Sequence, residues 1–168
     1  SSLWTCLRIF SGSWKSPITA DLIVGGSVGL SQPQIDGSDI YWIELRPTEG
    51  GRNVIVKRDG PSSFTDVTPQ PFNARTRVHE YGGGDYIVSK GVVYFSNFTD
   101  QRLYKQVGPG EPQALTPVAD MRYADTFLDH TRGRLICVRE DHTVQGVEAV
   151  NTIVSLSAEA NDDCGVVL

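Results

Sequence analysis

The sequence has few of the features that identify secreted proteins. Only three of its 168 residues are cysteine, namely Cys6, Cys137 and Cys164, and they form no C-x-x-C pair. We therefore expect no disulfide framework and no zinc site. We expect reduced, buried thiols instead. This absence favours a cytoplasmic or organellar protein over a secreted one.

Long apolar runs and clusters of positive charge are also lacking. The longest apolar runs have about five residues, whereas a membrane span needs roughly 20. The formal net charge is −5 and the Lys and Arg residues are scattered, so no basic surface for nucleic acid is predicted. His79-Glu80 is half of an H-E-x-x-H zinc motif, but Gly83 stands where the second histidine would be. We expect no membrane, nucleic-acid, metal or cofactor partner.

Turn residues and short β-rich runs are abundant instead. The chain has 17 Gly and 9 Pro, and the runs between them are rich in Val, Ile, Tyr and Phe. No window of 12 or more residues has helical periodicity, and the only modest helix candidate is 122–129. The sequence therefore predicts an all-β protein. The predicted strands are 39–45, 53–59, 91–98, 102–107, 134–141 and 151–157.

These strands recur in a fixed order. Thr-Pro steps at Thr68 and Thr116 lie 48 residues apart, and each apolar strand follows a turn. The turns are Asp36-Gly37, Lys90-Gly91 and Arg132-Gly133. A unit of about four strands every 40 to 50 residues is typical of a β-propeller blade. A β-sandwich has a similar composition, but the recurring order favours the propeller.

Three blades fit the chain, at about 33–75, 78–119 and 120–168. They form an incomplete N-terminal propeller over 12–168, after an unassigned lead-in at 1–11. Propellers close with about four to eight blades, and an open arc exposes strand edges. We therefore expect the chain to be part of a longer protein.

The segment Gly25-Gly26-Ser27-Val28-Gly29 reads as G-x-S-x-G, the pattern of a hydrolase nucleophile. Such a serine needs a strand before it and a helix directly after it. Pro33 and an Asp-Gly turn follow instead, which leaves no room for a helix. We interpret the pattern as a turn and predict that Ser27 is not catalytic.

Four segments carry a family resemblance: "GSWKSPITADLIVGGSVGL" (12–30), "YWIELRPTEGGRNVIVKRDG" (41–60), "RVHEYGGGDYIV" (77–88) and "VVYFSNFTDQRLYKQ" (92–106). They resemble the N-terminal β-propeller of prolyl oligopeptidase-family serine peptidases, most nearly the acylaminoacyl-peptidase and dipeptidyl-peptidase-like group. The resemblance implies a C-terminal α/β-hydrolase domain that carries the Ser-Asp-His triad, and no part of that domain is recognisable here. It further implies that the propeller admits short peptides to the catalytic pocket and, in some exopeptidases, helps hold a substrate terminus.

The most unusual local string is "TRVHEYGGGDY", residues 76–86. Its candidate substrate-contact residues are Arg77, His79, Glu80 and Tyr81. In one interpretation Glu80 or Arg77 meets the ammonium or carboxylate of a peptide. In the other, Arg77 and Glu80 pair with each other or with blade neighbours, and the glycines admit a tight bend.

Other distinctive residues have structural interpretations. Tyr41 and Trp42 are expected to pack within a blade, and Trp14 likewise. The mixed-charge runs 129–134 and 139–142 are typical of a solvated rim. The function predicted is therefore the substrate-gating propeller of a serine peptidase, inactive by itself, whose partners are the hydrolase domain and peptide substrates. The alternative is a stand-alone propeller-like module that binds a protein partner.

Overall fold

The computed structural model describes residues 26–159 and 162–168, and in them the chain is built from strands and turns. These residues form twelve strands and a 3-10 turn at Pro47–Glu49, with no α-helix. No helix of the described part is long and apolar enough to cross a membrane. The prediction of an all-β chain is confirmed. The strands are β1 (Gly29–Asp36), β2 (Asp39–Arg46), β3 (Arg52–Arg58), β4 (Phe64–Asp66), β5 (Tyr86–Ser89), β6 (Val92–Ser96), β7 (Leu103–Val107), β8 (Gln113–Ala114), β9 (Met121–Asp129), β10 (Arg134–Asp141), β11 (Val150–Ser157) and β12 (Val166–Val167).

The strands form three four-stranded antiparallel sheets, each a simple meander. We call β1–β4 blade 1, β5–β8 blade 2 and β9–β12 blade 3. The first hairpin of each blade turns at a glycine with positive φ: Gly37 (62°), Gly91 (74°) and Gly133 (62°). Glycine adopts this left-handed conformation freely because it has no Cβ. The prediction of three four-stranded blades of a partial propeller is confirmed.

Residues 122–129, the helix candidate of the sequence, lie in strand β9. All of β9 pairs with β10, apart from a shift in register between Ile136 and Val138. Asp125 sits at this bulge with φ 53°. The helix candidate is therefore wrong, because pairing across the sheet overrides a weak local preference.

Two apolar cores lie on the two faces of blade 2. Successive residues of β6 point to opposite sides, so Phe95 packs toward blade 1 and Tyr94 toward blade 3. A sheet covered on both faces is what stacked blades require, whereas each sheet of a two-layer sandwich is covered on one. The core shared with blade 1 contains Tyr41, Ile43, Ile55, Ala74, Tyr86, Val93, Phe95 and Tyr104. The core shared with blade 3 contains Tyr94, Leu103, Leu115, Tyr123, Leu135, Cys137, Val154, Leu156 and Ala158.

The first strands of the three blades lie side by side, β1 against β5 and β5 against β9. Polar side chains of β1 at every second residue bond to blade 2. The Gln34 amide donates to the carbonyl of Tyr86 (2.7 Å), and the Asp36 carboxylate accepts from the N–H of Gly91 (2.6 Å). The first strands thus form the hub of the arc, held by side-chain bonds to backbone groups.

The antiparallel order places alternate connections at the same end of the strands. One end, which we call the connection face, carries the hairpin loops 47–51, 97–102 and 142–149. It also carries the two segments that join the blades. We call 67–85, between blades 1 and 2, the long connection, and 115–120, between blades 2 and 3, the short connection.

The cysteines differ in their environment. Cys137 is buried in the core between blades 2 and 3, and burial raises the pKa of its thiol to about 12. Cys164 is an exposed free thiol, so the expectation of buried thiols is right for Cys137 and wrong for Cys164. Cys6 lies outside the described residues.

Candidate functional site

The four predicted site residues lie together in one tight turn of the long connection. The N–H of Glu80 donates to the carbonyl of Arg77 (2.9 Å), and the N–H of Gly82 donates to that of Val78 (3.0 Å). We call residues 77–82 the site turn. It lies on the connection face, next to the start of blade 2.

The backbone of the site turn is strained. His79 and Glu80 are consecutive residues in the left-handed region, with φ 55° and 60°, and Gly82 follows with φ 91°. For residues other than glycine such conformations cost about 1–3 kcal/mol each and persist only where the surroundings hold them. They concentrate at functional sites, which makes this turn the strongest candidate in the described residues.

Arg77 contacts a neighbour in blade 2. Its guanidinium lies over the ring of Phe98, 4.2 Å from the centroid, and the guanidinium of Arg75 lies 5.2 Å from the same centroid. The N–H of Arg77 donates to the side-chain oxygen of Gln101 (2.7 Å). Arg77 thus packs against its own blade through a cation–π contact.

Glu80 and Tyr81 point outward. Tyr81 is 96% exposed, and Glu80 is exposed as well. Within residues 26–159 and 162–168, the Glu80 carboxylate makes no ion pair or hydrogen bond, so it does not pair with Arg77. An unpaired carboxylate beside a bare tyrosine ring on a strained turn is able to receive a cationic group.

The glycines that follow the turn fit closely against the hub of blade 3. The N–H of Gly84 donates to the Asp125 carboxylate (2.6 Å), and the N–H of Asp125 donates back to the carbonyl of Gly84 (2.9 Å). A Cβ at Gly84 would lie 2.9 Å from that carboxylate and 3.3 Å from the Asp125 Cα. Glycine is needed here because two backbones approach closely.

Asp85, the residue after Gly84, is bonded to β1, the first strand of blade 1. Its carboxylate accepts from the N–H of Thr76 (2.6 Å) and from the amide of Gln32 in β1 (2.6 Å). Burial raises the pKa of Asp85, against the opposing effect of these two donors. Together Asp85 and Gly84 fix the end of the long connection to all three blades.

The buried carboxylate of Glu140, near the site turn, is the main residue that sequence reasoning missed. Its side chain is 6% exposed. One oxygen accepts from the N–H of His79 (2.6 Å), and the other lies 3.0 Å from Nε2 of His142 and 3.6 Å from the Arg122 guanidinium. The prediction that 139–142 forms a solvated rim is therefore wrong, since Arg139 and Glu140 are both buried.

Glu140 is kept ionised by these neighbours. Burial alone would raise its pKa, but the hydrogen bonds from His142 and from the His79 N–H, with the charge of Arg122, lower the pKa below the ordinary glutamate value. No group of His, Cys, Asp or Glu side chains in the described chain has an arrangement that would hold a metal ion.

Ser27 is exposed, and strand β1 begins two residues after it. A strand directly after the serine does not build the strand–turn–helix geometry of a nucleophile elbow. Residues 21–24, where a nucleophile elbow would need its strand, lie outside the described residues, as does Trp14. Tyr41 packs in a core as expected, and the half-buried Trp42 meets the edge of Phe64 at 5.3 Å.

One cavity of the described residues lies away from the site turn. It has a volume of about 250 Å³ and lies between blades 1 and 2, toward the face opposite the connection face. Tyr41, Lys57 and Val93 are among its lining residues, and none of the four predicted site residues lines it.

Comparison with solved structures finds proteins that are similar to this chain. A Mycobacterium tuberculosis puromycin-hydrolysing peptidase is 35% identical over 93% of this chain, with a TM-score of 0.76, and the match occupies 27% of that peptidase. A puromycin hydrolase is 31% identical over 89% of this chain and 25% of its own, with TM-scores of 0.76 and, for a variant complexed with PGG, 0.77. These structure neighbours are peptidases of the prolyl oligopeptidase family, and the chain is similar to a part of their propeller region.

The chain matches the propeller part of these peptidases and spans about a quarter of the length of the solved relatives. These relatives are single-chain peptidases with a separate catalytic domain. No protein-family model and no curated protein sequence matches the chain. The resemblance to these peptidases therefore rests on the structural likeness together with the 31–35% identity over about nine-tenths of this chain.

Proposed function

We propose that this chain is a substrate-gating part of the propeller of a serine peptidase, and that it has no peptidase activity by itself. The observation that supports this most is the 31–35% identity, over about nine-tenths of the chain, to part of the puromycin-hydrolysing enzymes. In this proposal the parent enzyme hydrolyses peptide or acyl-peptide bonds through an acyl-enzyme formed on a catalytic α/β-hydrolase domain. The propeller admits short peptides and excludes folded proteins.

Recognition of substrate falls to the site turn. The Glu80 carboxylate lacks a charged partner among the described residues, and a peptide ammonium would supply one. Tyr81 offers an exposed ring face beside it, which also favours a cation. The pair fits substrates with a free amino terminus better than acylated ones, so the dipeptidyl-peptidase-like branch suits this turn better than the acylaminoacyl one. Puromycin, on which the solved relatives act, is an aminoacyl amide with a free α-amino group.

The test compares Glu80→Ala with the unaltered sequence in the full chain that contains this propeller. The substrates are an aminoacyl chromogenic amide and its N-acetylated counterpart. We expect kcat/KM for the free amine to fall about tenfold, equivalent to the loss of one charge-assisted hydrogen bond, and that for the acetylated amide to stay constant. Glu111→Ala is the matched control, since Glu111 is exposed in the β7–β8 loop of the opposite face. An equal change for both substrates would contradict the role of Glu80.

The second part of the proposal is tested on the 168-residue chain alone. We expect no turnover of either chromogenic amide, because neither Ser27 nor any other residue is assigned as a nucleophile. Turnover that disappears in Ser27→Ala would show that this chain is catalytic after all.

A further inference from the structure

Glu140 brings together three separate parts of the chain. It lies near the end of β10, and its charged neighbours are Arg122 in β9, His142 just after β10 and His79 in the site turn. His79 is 61 residues away in the sequence. The carboxylate is therefore one of the points at which blade 3 holds the segment that leads into blade 2.

The contact holds the backbone of the turn. The N–H of His79 donates to Glu140 (2.6 Å), while the carbonyl of Arg77 accepts from the Arg122 guanidinium (3.0 Å). One donor and one acceptor of the turn are thus bound by blade 3. The donor belongs to His79, the first of the two strained residues, so the bond opposes relaxation of its positive φ.

The side chains of Glu80 and Tyr81 have no anchor of their own in the described part of the protein. Their direction is set by the backbone that precedes them, and that backbone is bound through the N–H of His79. The geometry points to Glu140 as a positioning residue, which holds the site turn so that Glu80 and Tyr81 are presented to a substrate ammonium. This inference rests on the proposed function of the turn.

The charges around Glu140 keep its carboxylate ionised and bonded to the site turn at neutral pH. His79 and His142 each place a ring nitrogen near the carboxylate, at 3.3 and 3.0 Å, and the Arg122 guanidinium lies at 3.6 Å. The pKa of Glu140 lies below its ordinary value, so the carboxylate stays an acceptor at neutral pH. A neutral amide at this position would hold the His79 N–H less strongly.

The experiment is a double-mutant cycle in the full chain with Glu140→Gln, Glu80→Ala and both together. For the free-amine chromogenic amide, we expect Glu140→Gln to raise KM about fivefold with kcat within about twofold, as for a lost binding contribution. In the Glu80→Ala background, Glu140→Gln should have almost no further effect, because both changes remove the same interaction. Amide hydrogen exchange at His79 should become faster in Glu140→Gln. The control Glu148→Gln, at an exposed glutamate in the hairpin loop that follows β10, should change neither KM nor the exchange rate.

Each outcome bears on the two proposals differently. If Glu80→Ala weakens substrate binding and Glu140→Gln does not, or if the two effects multiply, the positioning role is overturned and the proposed function stands. If Glu140→Gln accelerates exchange at His79 while Glu80→Ala leaves KM unchanged, recognition by Glu80 fails, and the positioning role fails with it. Should Glu140→Gln not fold, His142→Gln keeps the carboxylate, removes one of its partners and enters the same cycle, with about a twofold rise in KM expected.

Discussion

The two connections between blades begin alike and then diverge. In each, a buried threonine follows the last strand of the blade. The Thr68 hydroxyl accepts from the N–H of Ile55 and the Thr116 hydroxyl from that of Leu103, both at 3.0 Å. The short connection then passes directly into β9, whereas the long connection continues through an aromatic anchor, the site turn and the hub glycines. The shared part builds the blade, and the additional length carries the candidate site, as is common for loops on a rigid scaffold.

The aromatic anchor of the long connection is Phe72, and its loss should have the largest effect. Its ring makes edge-to-face contacts with the rings of Phe95 and Tyr104, with 5.9 and 5.1 Å between the ring centroids. We expect Phe72→Ala to lower the free energy of unfolding by about 2–4 kcal/mol, through lost apolar burial and aromatic contact. Denaturant unfolding measures this, with Phe64→Ala as the control because Phe64 is 58% exposed. Equal losses in both variants would show that the long connection is not anchored by Phe72.

Substitutions of Thr68 and Thr116 test whether the same hydrogen bond stabilises both connections. Thr68→Val and Thr116→Val keep the side-chain shape and leave a buried strand N–H without its acceptor. We expect each to destabilise the fold by about 1–3 kcal/mol, and the two by similar amounts. Thr99→Val, at an exposed position, should cost almost nothing. A large difference between the two buried sites would mean that the connections are alike in sequence only.

A smaller effect concerns the hydrogen bond from the His79 N–H to Glu140, which holds the long connection and has no counterpart in the short one within the described part of the chain. The folded-state pKa of Glu140 is lowered, so its contribution to stability is present above the ordinary glutamate pKa and is lost as the pH falls through the folded value. We expect Glu140→Gln to destabilise the fold by about 1 kcal/mol at pH 7 and by much less near pH 3. Unfolding curves at both pH values measure the difference. If Glu140→Gln destabilised the fold equally at both pH values, the result would contradict a stabilising role of the ionised Glu140 carboxylate.

The candidate site was partly visible in the sequence. The string around Arg77 and the three glycines predicted this segment, and the structure places Arg77, His79, Glu80 and Tyr81 in one turn. Their role remains a prediction. The mixed charges around Glu140 looked like a solvated rim, because nothing local indicates a partner 61 residues away.

The sequence by itself determined six of the twelve strands, the glycine turns and the repeated threonine steps, because each depends on neighbours a few residues apart. Only the tertiary structure decided that 122–129 is a strand, since the pairing of β9 with β10 outweighs its local preference. It also decided that Glu140 is buried beneath the site turn. Burial of a charge requires partners from several elements at once, and that convergence exists only when the blades are stacked.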